Sequence, residues 1–115
     1  MRTFQIRRLG ADEAALLREL RLRALADSPG SFGETYAEVA GRPEAEWRRL
    51  AERHGERGPH AAFVAERGEA ACGVVFGIAD PAAGDAARVG GMWVSAEARG
   101  RGVGAALLRA ALAWA

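Results

Sequence analysis

The part of this sequence best suited to chemistry is a run of alternating glycines and larger residues, RGRGVG, at positions 99–104. A stretch rich in alanine and leucine follows from Val103 to Ala115 and is typical of a helix. The first amides of a helix have no internal acceptors, and the helix dipole makes that end positive. Small residues there leave the amides open to a phosphate, to which Arg99 and Arg101 can add charge-assisted hydrogen bonds. The run therefore predicts an anion-binding loop; a solvated turn with structural glycines is the alternative.

Two known phosphate-binding motifs fit this run less well. A nucleotide P-loop needs a lysine and a hydroxyl residue after its last glycine, but Ala105 and Ala106 follow Gly104. A dinucleotide fingerprint can be matched to Gly100, Gly102 and Ala105, yet the sequence leaves no room for the acidic residue expected about 20 positions later. A fragment that binds a nicotinamide dinucleotide remains a minor alternative.

Length and charge limit the possible functions. With 115 residues, half of them apolar, the chain is predicted to form a single domain over residues 1–115. Its 16 basic and 15 acidic side chains give a net charge of +1, which argues against a partner nucleic acid or an acidic membrane surface. No signal peptide, long apolar run or pair of cysteines is present, which favours the cytoplasm.

Apolar periodicity and turn residues predict the element order β-α-α-β-β-β-α. The strands are expected at residues 3–9, 61–65, 71–79 and 88–95, and the helices at residues 12–26, 43–54 and 103–115. A loop with Phe32 and Tyr36 is expected between the first two helices, and the glycines of the last strand permit a bulge. The predicted fold class is α/β, of the mixed α+β kind, with a central, mostly antiparallel sheet.

The glycine-rich run resembles the coenzyme A loop of the GNAT acetyltransferase superfamily. The pattern of that loop is Gln or Arg, two residues, Gly, one residue, then Gly or Ala, and Arg99, Gly102 and Gly104 fill these positions. The residues on both sides of the run, together with residues 20–25, 28–29 and 32–33 and Trp47, are also similar to the family in content and order. The resemblance covers almost the whole chain, but only the loop is a specific motif.

The resemblance implies an N-acetyltransferase that moves an acetyl group from acetyl-CoA to a primary amine by direct attack, without a metal. The predicted pyrophosphate loop comprises Arg99, Gly100, Arg101, Gly102, Val103 and Gly104. The preceding strand residues Met92, Trp93 and Val94 would pair with the pantetheine arm, beside a bulge that directs an amide at the thioester carbonyl. Val94 is the candidate for that amide, because acyl transfer needs a donor for the developing oxyanion. A small-molecule or peptide amine would bind near Phe32, Glu34 and Tyr36.

The chain also departs from the family pattern. Members of the family usually continue past this helix into further strands and another helix, which often carry the tyrosine that protonates the departing thiolate. The acid is therefore unassigned, and Tyr36, which precedes the motif, is not given that role. We expect a fold that is incomplete after the last helix, with a homodimer as one way to complete the sheet. A non-catalytic module that binds coenzyme A is the alternative function.

Structural roles are expected for most other reactive residues. His54 and His60 flank a connector containing glycine and proline and are predicted to be solvated loop residues rather than metal ligands. Cys72 lies in an apolar stretch, where a buried thiol is usually inert.

Trp47 and Trp114 are expected to pack inside the protein, whereas the sequence leaves the place of Trp93 open. Trp47 and Trp114 lie on apolar helix faces, and strand alternation places Trp93 opposite its neighbours, so it can be core while they face a cofactor. Glu34 and Glu38, four residues apart, are predicted to be surface carboxylates or, alternatively, part of a pocket that attracts an ammonium group.

Overall fold

The computed structural model describes residues 4–29, 34–79 and 87–115. Within these ranges four helices and four strands follow one another, with a short 3-10 turn at Ala96–Ala98 before the last helix. In chain order they are β1 (Gln5–Arg8), α1 (Ala14–Asp27), α2 (Tyr36–Ala40), α3 (Glu44–His54), β2 (Ala61–Arg67), β3 (Ala70–Ala79), β4 (Ala87–Val94) and α4 (Val103–Trp114). The predicted mixed α+β class is confirmed.

The four strands form one antiparallel sheet in the order β1-β2-β3-β4. The turn of Gly68 and Glu69 joins β2 to β3, as the sequence predicted. Among the described strands, β4 pairs on one side only, so its other edge is free. The main-chain groups of that edge are open to pairing with an extended ligand or chain.

Helices cover both faces of the sheet. On one face α1 and α3 pack on side chains that alternate along the strands, namely Ala62, Val64, Val74, Phe76 and Trp93. On the other face α4 buries Val103, Ala106, Leu107 and Ala111 against Ala65, Cys72 and Val75. Trp114 packs flat on the sheet at Gly77, where an added Cβ would lie 2.5 Å from the indole ring. This close approach fixes the position of α4 on the sheet.

Helix α2 is not among the elements predicted from the sequence, because it lies in the segment predicted to be a loop. The Glu38 amide donates to the Thr35 hydroxyl at 3.1 Å, and that hydroxyl donates to the Glu38 carboxylate at 3.0 Å. A threonine followed three residues later by glutamate is a capping signal that could have revealed this helix. Phe32, in the same predicted loop, lies outside the described residues.

The prediction of a solvated loop position for His54 is wrong. His54 ends α3 and is buried, because its ring contacts the Phe76 ring edge-on at 5.7 Å and its Nδ1 lies 2.9 Å from the Leu50 carbonyl oxygen. Burial lowers the pKa of this imidazole. His60 lies between α3 and β2 and is partly exposed. None of the described helices is long and apolar enough to cross a membrane.

Candidate functional site

Strand β4 contains a bulge at Gly91 and Met92. Val74 pairs with Trp93 and Phe76 pairs with Gly90, so Val75 alone lies opposite two residues of β4. Gly91 has a φ of 63°, a left-handed conformation that glycine adopts without strain. The strand predicted to bulge therefore does so, two residues before the Val94 amide proposed as an oxyanion donor.

The peptide groups of Val94 face the free edge of β4. The next amide, that of Ser95, donates to the Cys72 carbonyl at 2.8 Å, and alternate residues of a strand direct their amides to opposite sides. The Val94 carbonyl accepts a hydrogen bond of 3.0 Å from Nε of Arg99, a side chain of the loop that follows β4. The Val94 amide is therefore directed away from β3, towards the side on which an extended ligand would pair.

The loop between β4 and α4 holds two glycines in the left-handed region. Gly100 has a φ of 78° and Gly102 a φ of 82°, and a Cβ added at either would have no heavy atom within 4 Å apart from its chain neighbours. Side chains with a Cβ rarely adopt this conformation, which explains the alternation of glycine in the sequence. The space beside both glycines is open to a ligand.

Gly102 also begins α4. The first hydrogen bond of the helix runs from the Ala106 amide to the Gly102 carbonyl at 3.1 Å. The amides of Val103, Gly104 and Ala105 therefore precede the hydrogen-bonding ladder and point out of the positive end of the helix. A Cβ added at Gly104 would lie 3.8 Å from the Met92 side chain and 3.9 Å from that of Val94. The helix end thus lies directly beside the last residues of β4.

The two arginines of the loop differ. Arg101 is exposed beside the helix end. Arg99 forms an ion pair with Asp27, the last residue of α1, while its Nε binds the Val94 carbonyl. In this conformation its guanidinium is engaged by the protein, and its main-chain amide donates to the Ala96 carbonyl at 3.4 Å.

Asp27 is a site residue that the sequence did not reveal. Its Oδ2 accepts a hydrogen bond of 3.0 Å from Nε1 of Trp93 in addition to the Arg99 pair. One carboxylate thus ties the end of α1 to β4 and to the loop. The separation of 72 residues between Asp27 and Arg99 carries no periodicity that could have predicted this contact.

A pH titration can test the contact between Asp27 and Trp93. The indole hydrogen bond, together with the charge of Arg99, lowers the pKa of the Asp27 carboxyl. A lowered pKa in the folded state means that this stabilisation is present above the ordinary carboxyl pKa and is lost as the pH falls through the lowered value. In NMR spectra recorded over a range of pH, we expect the indole N–H signal of Trp93 to change only at pH values below the ordinary titration range of a carboxyl.

The substitution Asp27→Asn should abolish this titration, and the indole signal of Trp114 serves as the internal control. A Trp93 signal that titrates at the ordinary pKa of a carboxyl would contradict the lowered pKa. A signal that does not respond to Asp27→Asn would contradict the hydrogen bond itself.

The side chain of Trp93 belongs to the core, which is the placement that strand alternation allowed. It is buried on the α1 side of the sheet, and the Arg23 guanidinium lies 4.9 Å from its ring centre. The side chains of Met92 and Val94 lie on the opposite, α4 side. The side chain of Trp93 therefore does not face a ligand bound on the α4 side or at the free edge.

Two of the predicted acceptor residues, Glu34 and Tyr36, lie on the α1 side of the sheet, and Phe32 lies outside the described residues. Glu34 accepts hydrogen bonds from Arg42 at 2.8 Å and from Arg21 at 3.4 Å. Burial by itself raises the pKa of Glu34, but the hydrogen bond and charge of Arg42, assisted by Arg21, lower it overall. Glu34 is thus an ionised carboxylate whose charge two arginines already balance. Tyr36, the first residue of α2, is half exposed.

Cys72 is unsuited to a nucleophilic role. Its thiol is buried in the cluster beneath α4, and burial raises its pKa. A thiol with a raised pKa provides little thiolate at neutral pH, so the structure agrees with the interpretation of Cys72 as an inert core residue.

Together these features bring donors for an anion next to a free strand edge. Open main-chain amides and an exposed arginine surround the start of α4, which is the kind of donor set that binds phosphate groups. The free edge of β4 begins at the same corner and offers the Val94 amide. A ligand with a diphosphate and an amide-containing arm therefore fits the residues present.

Comparisons with known proteins agree with this geometry. A family model described as "Acetyltransferase (GNAT) family" matches residues 19–115. No curated protein sequence matches the chain significantly.

Solved structures with the same fold include an aminoglycoside acetyltransferase from an uncultured soil metagenomic sample, with a TM-score of 0.71, 19% identity, and coverage of 98% of this chain and 72% of that one. A GCN5-related N-acetyltransferase from Ralstonia eutropha JMP134 has a TM-score of 0.69 and 20% identity, covering 96% and 74% of the two chains. The aminoglycoside N-acetyltransferase AAC(6')-Iy, solved in complex with CoA, has a TM-score of 0.65 and 21% identity, covering 96% and 68%. At these identities the likeness concerns the fold.

Proposed function

Because this chain belongs to the acetyltransferase (GNAT) family, we propose that it transfers the acetyl group of acetyl-CoA to a primary amine by direct attack. One observation carries the proposal. The open amides at the start of α4, with Gly100 and Gly102 in the left-handed region, lie at the same corner as the free edge of β4. That corner suits two adjoining parts of a coenzyme A molecule, the diphosphate and the pantetheine arm.

Binding is assigned to the main chain of the loop. The amides of residues 101–105 would donate to the diphosphate oxygens, and Arg101 would add a charge-assisted hydrogen bond from its exposed guanidinium. The main chain of Met92, Trp93 and Val94 would pair with the amides of the pantetheine arm in the manner of an added strand. The bound acetyl-CoA would supply an activated acetyl group.

The Val94 amide is proposed to stabilise the charge that develops on the acetyl oxygen. Acyl transfer to an amine places negative charge on this oxygen, and a fixed donor aimed at it lowers the barrier. The Val94 amide suits this task because β3 pairing and the Arg99 side chain fix its direction. The amine must be neutral to attack, and the side chain that removes its proton is not assigned.

Calorimetry tests the binding step. Coenzyme A is expected to bind at micromolar to millimolar concentration, with an affinity that falls as salt concentration rises, because the contacts are largely charge-assisted. A folded protein that gives no heat with millimolar coenzyme A would refute the assignment of the loop.

Turnover is tested separately with a panel of primary amines and acetyl-CoA. Saturable release of coenzyme A that depends on the amine supports an enzyme, and initial velocities that fit a ternary-complex pattern support direct attack. Ping-pong kinetics would indicate a covalent intermediate and contradict the mechanism.

A further inference from the structure

A cationic cavity lies on the α1 side of the sheet, next to the bulge of β4. This outer cavity has a volume of about 370 Å³ and is lined chiefly by Arg21, Phe76, Ile78, Arg88, Gly90 and Gly91. An inner cavity of about 200 Å³ adjoins it and shares Arg21, Phe76 and Ile78. The outer cavity falls in the size range of small-molecule sites.

The two arginines of the outer cavity share one apolar floor. Ile78 pairs with Arg88 and Phe76 with Gly90, and directly opposed residues of antiparallel strands place their side chains on the same face. The guanidinium of Arg21, from α1, lies 5.0 Å from the centre of the Phe76 ring. Arg88 is exposed and Arg21 partly exposed, so both can be reached from the cavity.

The described residues that line the outer cavity carry a positive charge. None of the described residues that line it is a carboxylate. Glu34, in the inner cavity, is shared by Arg21 and Arg42, so its charge does not offset that of Arg88. A ligand with several ammonium groups would be repelled here, whereas a carboxylate would gain charge-assisted hydrogen bonds from a guanidinium.

The cavity also borders the bulge of β4, which precedes the Val94 amide by two residues. Gly91, at the bulge, and Arg88 both line it, and three residues of a strand separate their Cα atoms by about 10 Å. A small molecule held at one end by Arg88 can therefore present its other end to the bulge. An apolar middle would lie on Phe76 and Ile78.

We propose that the acceptor is a short peptide, or another small amine whose carboxylate lies several bonds away from the amine, with the carboxylate held by Arg88 beside Arg21. The inference rests on the proposed acetyl transfer and adds the acceptor class to it. It distinguishes this chain from the aminoglycoside acetyltransferase that shares its fold. Aminoglycosides carry several ammonium groups and no carboxylate.

The test compares amines that differ only in the carboxylate. Kinetics are measured with two tripeptides of apolar residues, with the C-terminal amide of each, and with an aminoglycoside. We expect kcat/KM to be about tenfold or more higher for each acid than for its amide, the size of effect typical of a hydrogen bond to a charged group. The amine of a peptide amide loses its proton at least as readily as that of the acid, so a preference for the acids cannot come from a more reactive amine.

Arg88→Gln should remove most of this preference, mainly by raising KM for the acids, while Arg88→Lys should restore part of it. Arg109→Gln, on an exposed position of α4, is the matched control and should leave the preference unchanged. Circular dichroism melts and coenzyme A affinity establish that each variant is folded and that its loop is intact.

The outcomes separate the two proposals. Amides or aminoglycosides acetylated as well as the acids, or a preference that Arg88→Gln leaves intact, overturn the acceptor class and leave acetyl transfer standing. If a protein that binds acetyl-CoA acetylates none of these amines, both proposals are overturned.

Discussion

A Gly102→Leu variant is expected to fold and to bind coenzyme A roughly 100-fold more weakly than the natural chain, as loss of two charge-assisted hydrogen bonds would produce. Gly102 has a φ of 82°, and the space where its side chain would begin is open. A leucine there would occupy the volume next to the amides that start α4 and exclude a phosphate from them. Calorimetry with coenzyme A gives the affinity, and a thermal melt establishes folding.

Two controls separate lost binding from backbone strain. Gly68, in the turn between β2 and β3, has a φ of 62° and equally open space, so Gly68→Leu carries similar strain outside the loop. Gly104→Ala places a small Cβ in ordinary contact with Met92 and Val94 within the loop. Both controls should retain an affinity within a few-fold of the natural chain. An affinity for Gly102→Leu that matches theirs would refute phosphate binding at this position.

The loop was predictable because its determinants are local. Left-handed residues require glycine, and a helix start beside them requires only helix-forming residues to follow, so both appear in the sequence between Arg99 and Ala115. The strand order was predictable for a similar reason, since β2, β3 and β4 are joined by short connections and pair with their sequence neighbours.

Contacts between distant side chains were not predictable from the sequence. Arg99 was assigned to phosphate because its neighbours are glycines, yet its guanidinium pairs with Asp27. Glu34 was considered as an anchor for an ammonium group, yet Arg21 and Arg42 neutralise it. The packing of α1 on the sheet brings Asp27 to Arg99, and the packing of α2 and its flanking residues against α1 brings Glu34 to Arg21.

The contrast between local determinants and long-range contacts separates the residues proposed to bind the cosubstrate from those proposed to select the acceptor. Local sequence carries the proposed binding of the cosubstrate, because the proposal assigns it to main-chain donors whose positions follow from glycine and helix propensity. The choice of acceptor depends instead on the charges left unbalanced after the long-range pairs have formed. Arg88 lines the outer cavity next to the bulge, whereas the charge of Glu34 is balanced by Arg42 and Arg21. The proposed choice of amine therefore follows from which carboxylates are paired with an arginine, rather than from how many carboxylates there are.

Leu107→Ala should lower the free energy of unfolding by about 2–5 kcal/mol, a large part of the roughly 5–15 kcal/mol typical of a domain. Leu107 is fully buried in the cluster that holds α4 on the sheet, and its Cδ1 would lie 3.1 Å from a Cβ added at Gly73. Truncation leaves a cavity that neither the sheet nor the helix can fill. Chemical denaturation, with the midpoint and slope fitted separately, measures the loss.

Leu108→Ala is the matched control, since the same change is made one residue later on the 40% exposed side of α4. It should change the free energy of unfolding by less than about 0.5 kcal/mol, as is usual at surface positions. Because α4 also carries the phosphate donors, Leu107→Ala should weaken coenzyme A binding as well, through a helix start that is held less firmly beside β4. Equal destabilisation by the two variants would show that α4 does not pack on the sheet through the face described. The packing expected to hold its first amides in place beside β4 would then be absent.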